Sequence, residues 1–482
     1  MLTLSNAKRE WIRLVESAIR ANPFSEKRRE LDRIIGGTDE DALASTLRTV
    51  EEEVDRLIAQ GKGRWDLYAE PDATLMKRFF LFDFFHRFIC EFDAHIEAQI
   101  LAGERPLKLH FAREGLGYLQ ARGFSEAEAA IQFATCFQLR RAFYFINRSL
   151  VGQSPCMGRL REKLWNNVFT NNIERYDRFL RNRMEDFSTL IIGETGAGKG
   201  AAAAAIGRSG FIPFDPAAER FALSFTAAFV PVNLAEFSES LIEAELFGFV
   251  KGAFTGAVRD QEGVFSGCSP YGSIFLDEIG EVSPTLQVKL LKVLEERIFS
   301  PVGSRERIRF AGRIIAATHR KPEEMLQTGA MRPDFYYRLC SDTLVVPPLR
   351  MRIAETPEEL RDMVAHILGQ LVEDEASGMR DWVVEILIKE LGSGYPWPGN
   401  VRELGQMIRR ILLNQSCRDG LIRETRPDVP EFTAKIAEGV LSMQELTVLY
   451  CKHLHGLFGT YGEVARRTGL DRRTVKKYVE TP

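Results

Sequence analysis

Thr189-Leu-Ile-Ile-Gly-Glu-Thr-Gly-Ala-Gly-Lys-Gly200 is the stretch on which the reading of this chain turns. Apolar, strand-forming residues run straight into a GxxxxGK pattern, and an alanine-rich helical stretch, Ala201–Ile206, follows. Glycines let a backbone fold around phosphates with its N–H groups pointing inward. Gly193, Glu194, Thr195, Gly196, Ala197, Gly198, Lys199 and Gly200 are therefore the candidate ATP cradle. Lys199 would supply a point charge to the β- and γ-phosphates, and the helix behind it a positive N-terminal end. An ordinary glycine turn would not need a strand before it and a helix after it. Gly200 stands where the general pattern has Ser or Thr as a Mg²⁺ ligand, so the metal must rely on other groups.

A second chemical site is expected downstream. Gly272-Ser-Ile-Phe-Leu-Asp-Glu278 is an apolar strand ending in two carboxylates. Asp277 is placed to hold Mg²⁺, directly or through water, and Glu278 to polarise an attacking water as general base. Ser283-Pro284 then opens a helix with an N-cap and a proline at the first helical position. Between about 151 and 350, short β-rich runs (Thr189–Ile192, Phe229–Val232, Ser273–Leu276, Arg313–Ala317) alternate with helical stretches, which predicts a parallel α/β sheet.

The rest of the chain frames this domain. A length of 482 residues suggests about three domains. The net charge of -3 excludes nothing, because what matters is where positive charge collects. Seven scattered cysteines form no metal-ligand spacing and read as reduced thiols of a cytoplasmic protein. There is no signal-peptide pattern and no apolar run long enough to span a membrane. Residues 1–150 read as a helical regulatory domain, with Leu81, Phe84, Phe85, Phe88 and Phe92 on one face and a capping box at Ser125. Glu91 and His95 lie at i, i+4, a spacing that reads as a surface pair rather than a metal site. Residues 351–422 read as a helical lid, 423–440 as a linker and 441–482 as a helix-turn-helix. In this last module Thr460-Tyr-Gly-Glu463 is a second candidate capping box and Asp471 caps the second helix. Six Lys/Arg stand against three Asp/Glu between Gly462 and Glu480. Arg472, Arg473, Thr474, Lys476 and Lys477 could present to a DNA major groove and its phosphates.

Gly252-Ala-Phe-Thr-Gly-Ala257, preceded by Glu245-Leu-Phe-Gly248, resembles the hallmark hexapeptide of the sigma-54-dependent activators, bacterial enhancer-binding proteins with an AAA+ ATPase. The likeness runs from about Val151 to Leu412 and includes Tyr336-Tyr-Arg-Leu339, Pro347-Pro-Leu-Arg350 and Trp397-Pro-Gly-Asn-Val-Arg-Glu-Leu404. It implies that Gly252, Ala253, Phe254, Thr255, Gly256 and Ala257 contact sigma-54 of RNA polymerase, chiefly through Phe254 and Thr255. It implies that Asn233 senses the γ-phosphate and orients Glu278, that Thr318 is a sensor, that Arg332 and Arg338 are fingers reaching a neighbouring subunit, and that Arg402 is the lid's sensor arginine. ATP and Mg²⁺, a hexameric ring and dimeric binding to double-stranded DNA by a Fis-type C-terminal module follow from the same likeness. Two residues depart from the family pattern: His319 replaces an Asn, and Gly200 replaces a Glu. Asn171–Asp186 is longer and more charged than the usual lead into the cradle. The helical N-terminal region fits none of the receiver, GAF or PAS domains common in the family. A remodeller of another protein, or a DNA-binding regulator with a degenerate ATPase, are the alternative functions.

Overall fold

The computed structural model describes residues 1–36, 42–372, 376–418 and 442–480. They form two compact units, Met1–Cys417 and Arg418–Pro482. The stretch expected as a linker, 423–440, lies outside the described residues.

At the centre of the first unit is a five-stranded parallel sheet: β1 (Thr189–Ile192), β2 (Phe229–Asn233), β3 (Ser273–Asp277), β4 (Arg313–Thr318) and β5 (Asp342–Val345), in the order β5-β1-β4-β3-β2. Both faces are covered, as parallel sheets require. Side chains alternate between faces with period two. Ile315 and Ala317 of β4 and Phe275 of β3 enter one core, while Ile314, Ala316, Ile274 and Leu276 enter another.

The first of these cores does not stop at the sheet. It continues without interruption into Phe84, Phe92, Phe133 and Phe137 of the N-terminal helices. Helix Glu126–Ser149 opens on the expected capping box, with both reciprocal bonds of Ser125 and Glu128 present. Phe133 and Phe137 from this helix lie against Phe214 and Phe221, which belong to a small β-ribbon (Phe214–Asp215 with Arg220–Phe221) after the cradle helix. The Phe-rich stretch is two helices, Asp72–Arg87 and Ile89–Ala102, broken at Phe88. Phe84, Phe88 and Phe92 are buried as expected, with Leu81 and Phe85 partly so. Residue 150 is therefore a change of sequence pattern and not a division of the core. His95, expected on the surface, is instead buried against the stacked rings of Phe137 and Phe221, and this holds its pKa down to about 4.

Among the described residues four helices form the lid: Leu349–Glu355, Glu358–Leu371, Ala376–Leu391 and Asn400–Asn414. Its anchor is a buried ion pair, Arg352 with Glu359. Glu359 also accepts from the backbone N–H groups of Gln153 (2.8 Å) and Ser154 (3.0 Å), while Arg352 donates to the carbonyl of Val151. Gly152 sits against this pair at φ 112°, and a Cβ there would lie 1.9 Å from Glu359 Oε1.

The second unit packs Met443–Phe458, Tyr461–Thr468 and Arg472–Glu480 around Cys451, Leu454, Val464 and Val475. Thr460 accepts from the N–H of Glu463, but Glu463 turns to Arg466 and Arg467 instead of closing the expected box. Among the described residues no helix is long and apolar enough to cross a membrane.

Candidate nucleotide site and sigma-54 contact loop

The cradle is built at the C-terminal edge of β1. Gly196 and Gly198 take positive φ (78° and 111°), conformations that cost a side-chain-bearing residue more. Lys199 then begins helix Lys199–Gly207. Its side chain is buried, and Nζ donates to the carbonyls of Gly193 (3.0 Å) and Glu194 (3.4 Å). Lysine is rarely buried without a counter-charge, and here Nζ lies 3.9 Å from Glu278 Oε1. A cleft of about 420 Å³ opens over these residues, lined also by Asp277, Arg402, Leu150 and Ile367.

β3 delivers the two carboxylates as predicted. Asp277 is half-buried, and burial raises its pKa from the usual carboxylate value. One carboxylate oxygen donor at this place suits Mg²⁺, which accepts one or two protein carboxylates and keeps water for the rest. Gly200 adds no ligand. A Cβ there would meet only Phe275 Cε1 at 4.0 Å, so packing does not demand the glycine. Glu278 takes φ 55° at the strand end. Its Oε2 accepts from His319 Nδ1 at 2.7 Å.

That contact departs from the expected arrangement. Asn233 lies beside Asp277 in the sheet register, but its amide donates to Glu236 Oε1 (2.9 Å) and its oxygen accepts from the N–H of Ala235. The residue holding Glu278 here is His319, not Asn233. Thr318 is fully buried, and its hydroxyl accepts from the N–H of Arg320. Neither expected finger lines the cleft. Arg332 pairs with Asp334 (2.7 Å), and Arg338 donates twice to the carbonyl of Leu294 (3.1 and 3.0 Å). Arg402 does line it, from the lid.

The sequence reading missed the join between lid and cradle. Asn400 is fully buried at φ 52°. It donates to Glu194 Oε2 and the carbonyl of Thr195 (3.1 Å each) and accepts from the N–H of Leu349 (2.8 Å). Arg350 pairs with Glu194 and holds its carboxyl below the usual range. A Cβ at Gly196 would fall 2.3 Å from the carbonyl of Gly399, so the glycine is required by the close approach of the lid. The signal was present in Gly399-Asn400, because Asn is among the few residues that tolerate left-handed backbone.

The hexapeptide forms the tip of a hairpin whose strands are Gly248–Phe249 and Gln261–Glu262. Gly252 and Gly256 take φ 82° and 104°, and the Gly252 N–H donates to the carbonyl of Ala257 (2.8 Å), closing the loop. Phe254 and Thr255 are exposed, Ala253 is half-buried and Ala257 is buried. In the second unit Arg472, Arg473, Lys476 and Lys477 are exposed, and Thr474 is half-buried.

Comparison with known proteins agrees with this geometry. Residues 166–345 match the Sigma-54 interaction domain. The Nif-specific regulatory protein of Azotobacter vinelandii is 37% identical over 270 residues, covering 56% of this chain and 45% of that protein. The DNA-binding transcriptional regulator NtrC of Rhizobium meliloti is 34% identical over 309 residues, covering 63% of this chain and 59% of that protein. The chain thus spans about half the length of the curated relatives it matches. Among solved structures, NtrX from Brucella abortus is similar at a TM-score of 0.41 and 20% identity, covering 77% of this chain and 80% of that one. The cradle, the paired carboxylates and the intact hexapeptide tip all fall within the matched segment, and this part of the chain is similar to the Sigma-54 interaction domain.

Proposed function

We propose that the chain is a cytoplasmic, DNA-bound activator that hydrolyses ATP in a ring, with six subunits as the expected number, and uses the hydrolysis to remodel sigma-54 RNA polymerase. The observation that carries this reading is the pairing, in one domain, of a built phosphate site with an exposed Phe254-Thr255 tip.

Lys199 and the cradle N–H groups would bind the β- and γ-phosphates, and Arg402 would reach them from the lid. Asp277 would hold Mg²⁺, which neutralises charge on the phosphate oxygens. Glu278, held by His319, would orient the attacking water and take its proton. Arg332 and Arg338, turned away from their own cleft, would be supplied to the neighbouring subunit's nucleotide. The exposed Arg472, Arg473, Lys476 and Lys477, with Thr474, would meet DNA phosphates and base edges as one half of a dimer.

Glu278→Gln should abolish ATP turnover while ATP still binds. Thr255→Ala should keep turnover and lose both binding to sigma-54 with an ATP transition-state analogue and open-complex formation. Full promoter opening by Thr255→Ala would overturn the assigned role of the loop. Turnover that survives in Glu278→Gln would overturn the assigned base.

A further inference from the structure

On the side of the sheet away from the nucleotide, a second cavity of about 560 Å³ lies between the N-terminal helices and the ATPase core. Ligand pockets span roughly 300–1,000 Å³. One wall is helix Glu126–Ser149 and another is the charged lead-in that the family resemblance left without a role; its Tyr176–Leu180 turn is a π-helix. Such turns recur at functional sites.

The chemistry of the walls is unbalanced. Three arginines line the cavity: Arg181 pairs with Asp177 (2.5 Å) and Arg309 with Glu185 (3.3 Å), while Arg313 makes no ion pair among the described residues. Arg313 is buried, yet it ends only on neutral acceptors: the carbonyl of Phe187, Asn167 and the hydroxyl of Thr189. Just behind the wall, Arg141 is buried too and reaches only the carbonyl of Gly210 and the rings of Phe137 and Phe225. Burial pulls both guanidiniums down, Arg313 to about 10 and Arg141 to about 9. Buried charges are ordinarily paired. Two buried polar atoms of the wall also have no protein partner, Gln138 Oε1 and Arg181 Nε. Gln138 is 1% exposed, and its amide nitrogen is fixed by Tyr176 and the carbonyl of Ser209. Apolar and aromatic residues, among them Phe211 and Tyr271, make up much of the rest, with Asn182 and Ser273 beside them.

We infer that this cavity binds a small organic anion, a carboxylate on a flat apolar body, and that the bound anion fastens the N-terminal helices to the ATPase. The carboxylate supplies the missing negative charge, a hydroxyl or protonated edge of the ligand donates to Gln138, and the body lies against Phe211 and Tyr271. The floor explains how such a ligand reaches the chemistry. Ser273 and Arg313 begin β3 and β4, whose far ends carry Asp277-Glu278 and Thr318-His319, and Ile206 lies at the end of the Lys199 helix. A ligand that prefers one seating of these elements must change nucleotide affinity by the same factor as nucleotide changes its own. This coupling rests on the ATPase reading above, whereas the binding does not.

The test is calorimetric titration of the full chain with benzoate and phenylacetate, with inorganic phosphate as the bare anion, followed by ATP turnover at saturation. We expect saturable binding of a carboxylate at Kd values of about 1 mM or below and none of phosphate at that concentration. Ile131→Trp, at a wall position 40% exposed, and Gln138→Leu should each weaken binding at least about tenfold. Turnover without ligand should be unchanged in both, which also reports that they fold. Failure of both carboxylates to bind, phosphate binding alone, or undiminished binding in both variants would overturn the site. Binding with unchanged turnover and unchanged ATP affinity would overturn the coupling.

Discussion

His319 Nδ1 and Glu278 Oε2, 2.7 Å apart, join the ends of two neighbouring strands at the point where the proposed hydrolysis would activate water. The nearest other charge on Glu278 is Lys199 Nζ at 3.9 Å. With the Asn233 amide committed to Glu236, His319→Ala leaves the carboxylate with no close side-chain donor. Turnover should fall roughly tenfold, less than the ~10²–10⁴-fold that a general base itself typically contributes, because His319 positions the base and does not replace it, with the KM for ATP little changed. His319→Asn should restore part of it. Steady-state kinetics giving wild-type kcat for the alanine variant would remove His319 from the site. The cradle and Asp277-Glu278 were legible residue by residue because they lie within single short stretches of chain. The partner of Glu278 was not, because it depends on how β3 and β4 lie side by side and on what Asn233 does instead.

Among the elements, the strands could be read from apolar runs, and the lid helices from their periodicity. What no periodicity carries is the seat of the lid. Asn400 and the Arg352–Glu359 pair join segments distant in the chain, and their residue types have ordinary surface readings. Removing one partner of a buried pair leaves the other uncompensated, at a cost of about 3–5 kcal/mol. Glu359→Gln should therefore destabilise the first unit by about that much in urea titration and loosen ATP binding, since the pair also ties residues 151–154 beneath the cleft. Equal unfolding midpoints for variant and wild type would show that the pair does not anchor the lid.

For the whole molecule, the expected division near residue 150 followed a real change of pattern, from all-helical to alternating. The aromatic core nevertheless crosses it, because Phe133 and Phe137 are helix residues whose partners, Phe214 and Phe221, lie in the α/β domain. Stability should accordingly depend on pH across the whole unit. Burial holds His95 neutral down to about pH 4 and His86 down to about pH 3, while the unfolded chain protonates both near 6.5. Between these values the unfolded state binds more protons. Stability is thus fully present above about pH 6.5 and declines as pH falls, by up to about 1.4 kcal/mol per histidine per pH unit. Thermal unfolding from pH 7.5 to 5 should show this slope, and His95→Phe should flatten it. A slope identical in the variant would assign the effect to other groups.

The two arginines proposed as fingers carry a consequence beyond the single chain. Arg332 rests on Asp334, Arg338 rests on the carbonyl of Leu294, and neither lines its own cleft. If they serve as the proposed fingers, a lone subunit lacks part of the charge needed at the γ-phosphate, and specific activity should fall steeply on dilution and recover on concentration. On that proposal the protein would measure its own abundance: below a threshold number of copies per cell it would hold nucleotide and do little with it, and a modest rise in synthesis would switch the promoter response on sharply.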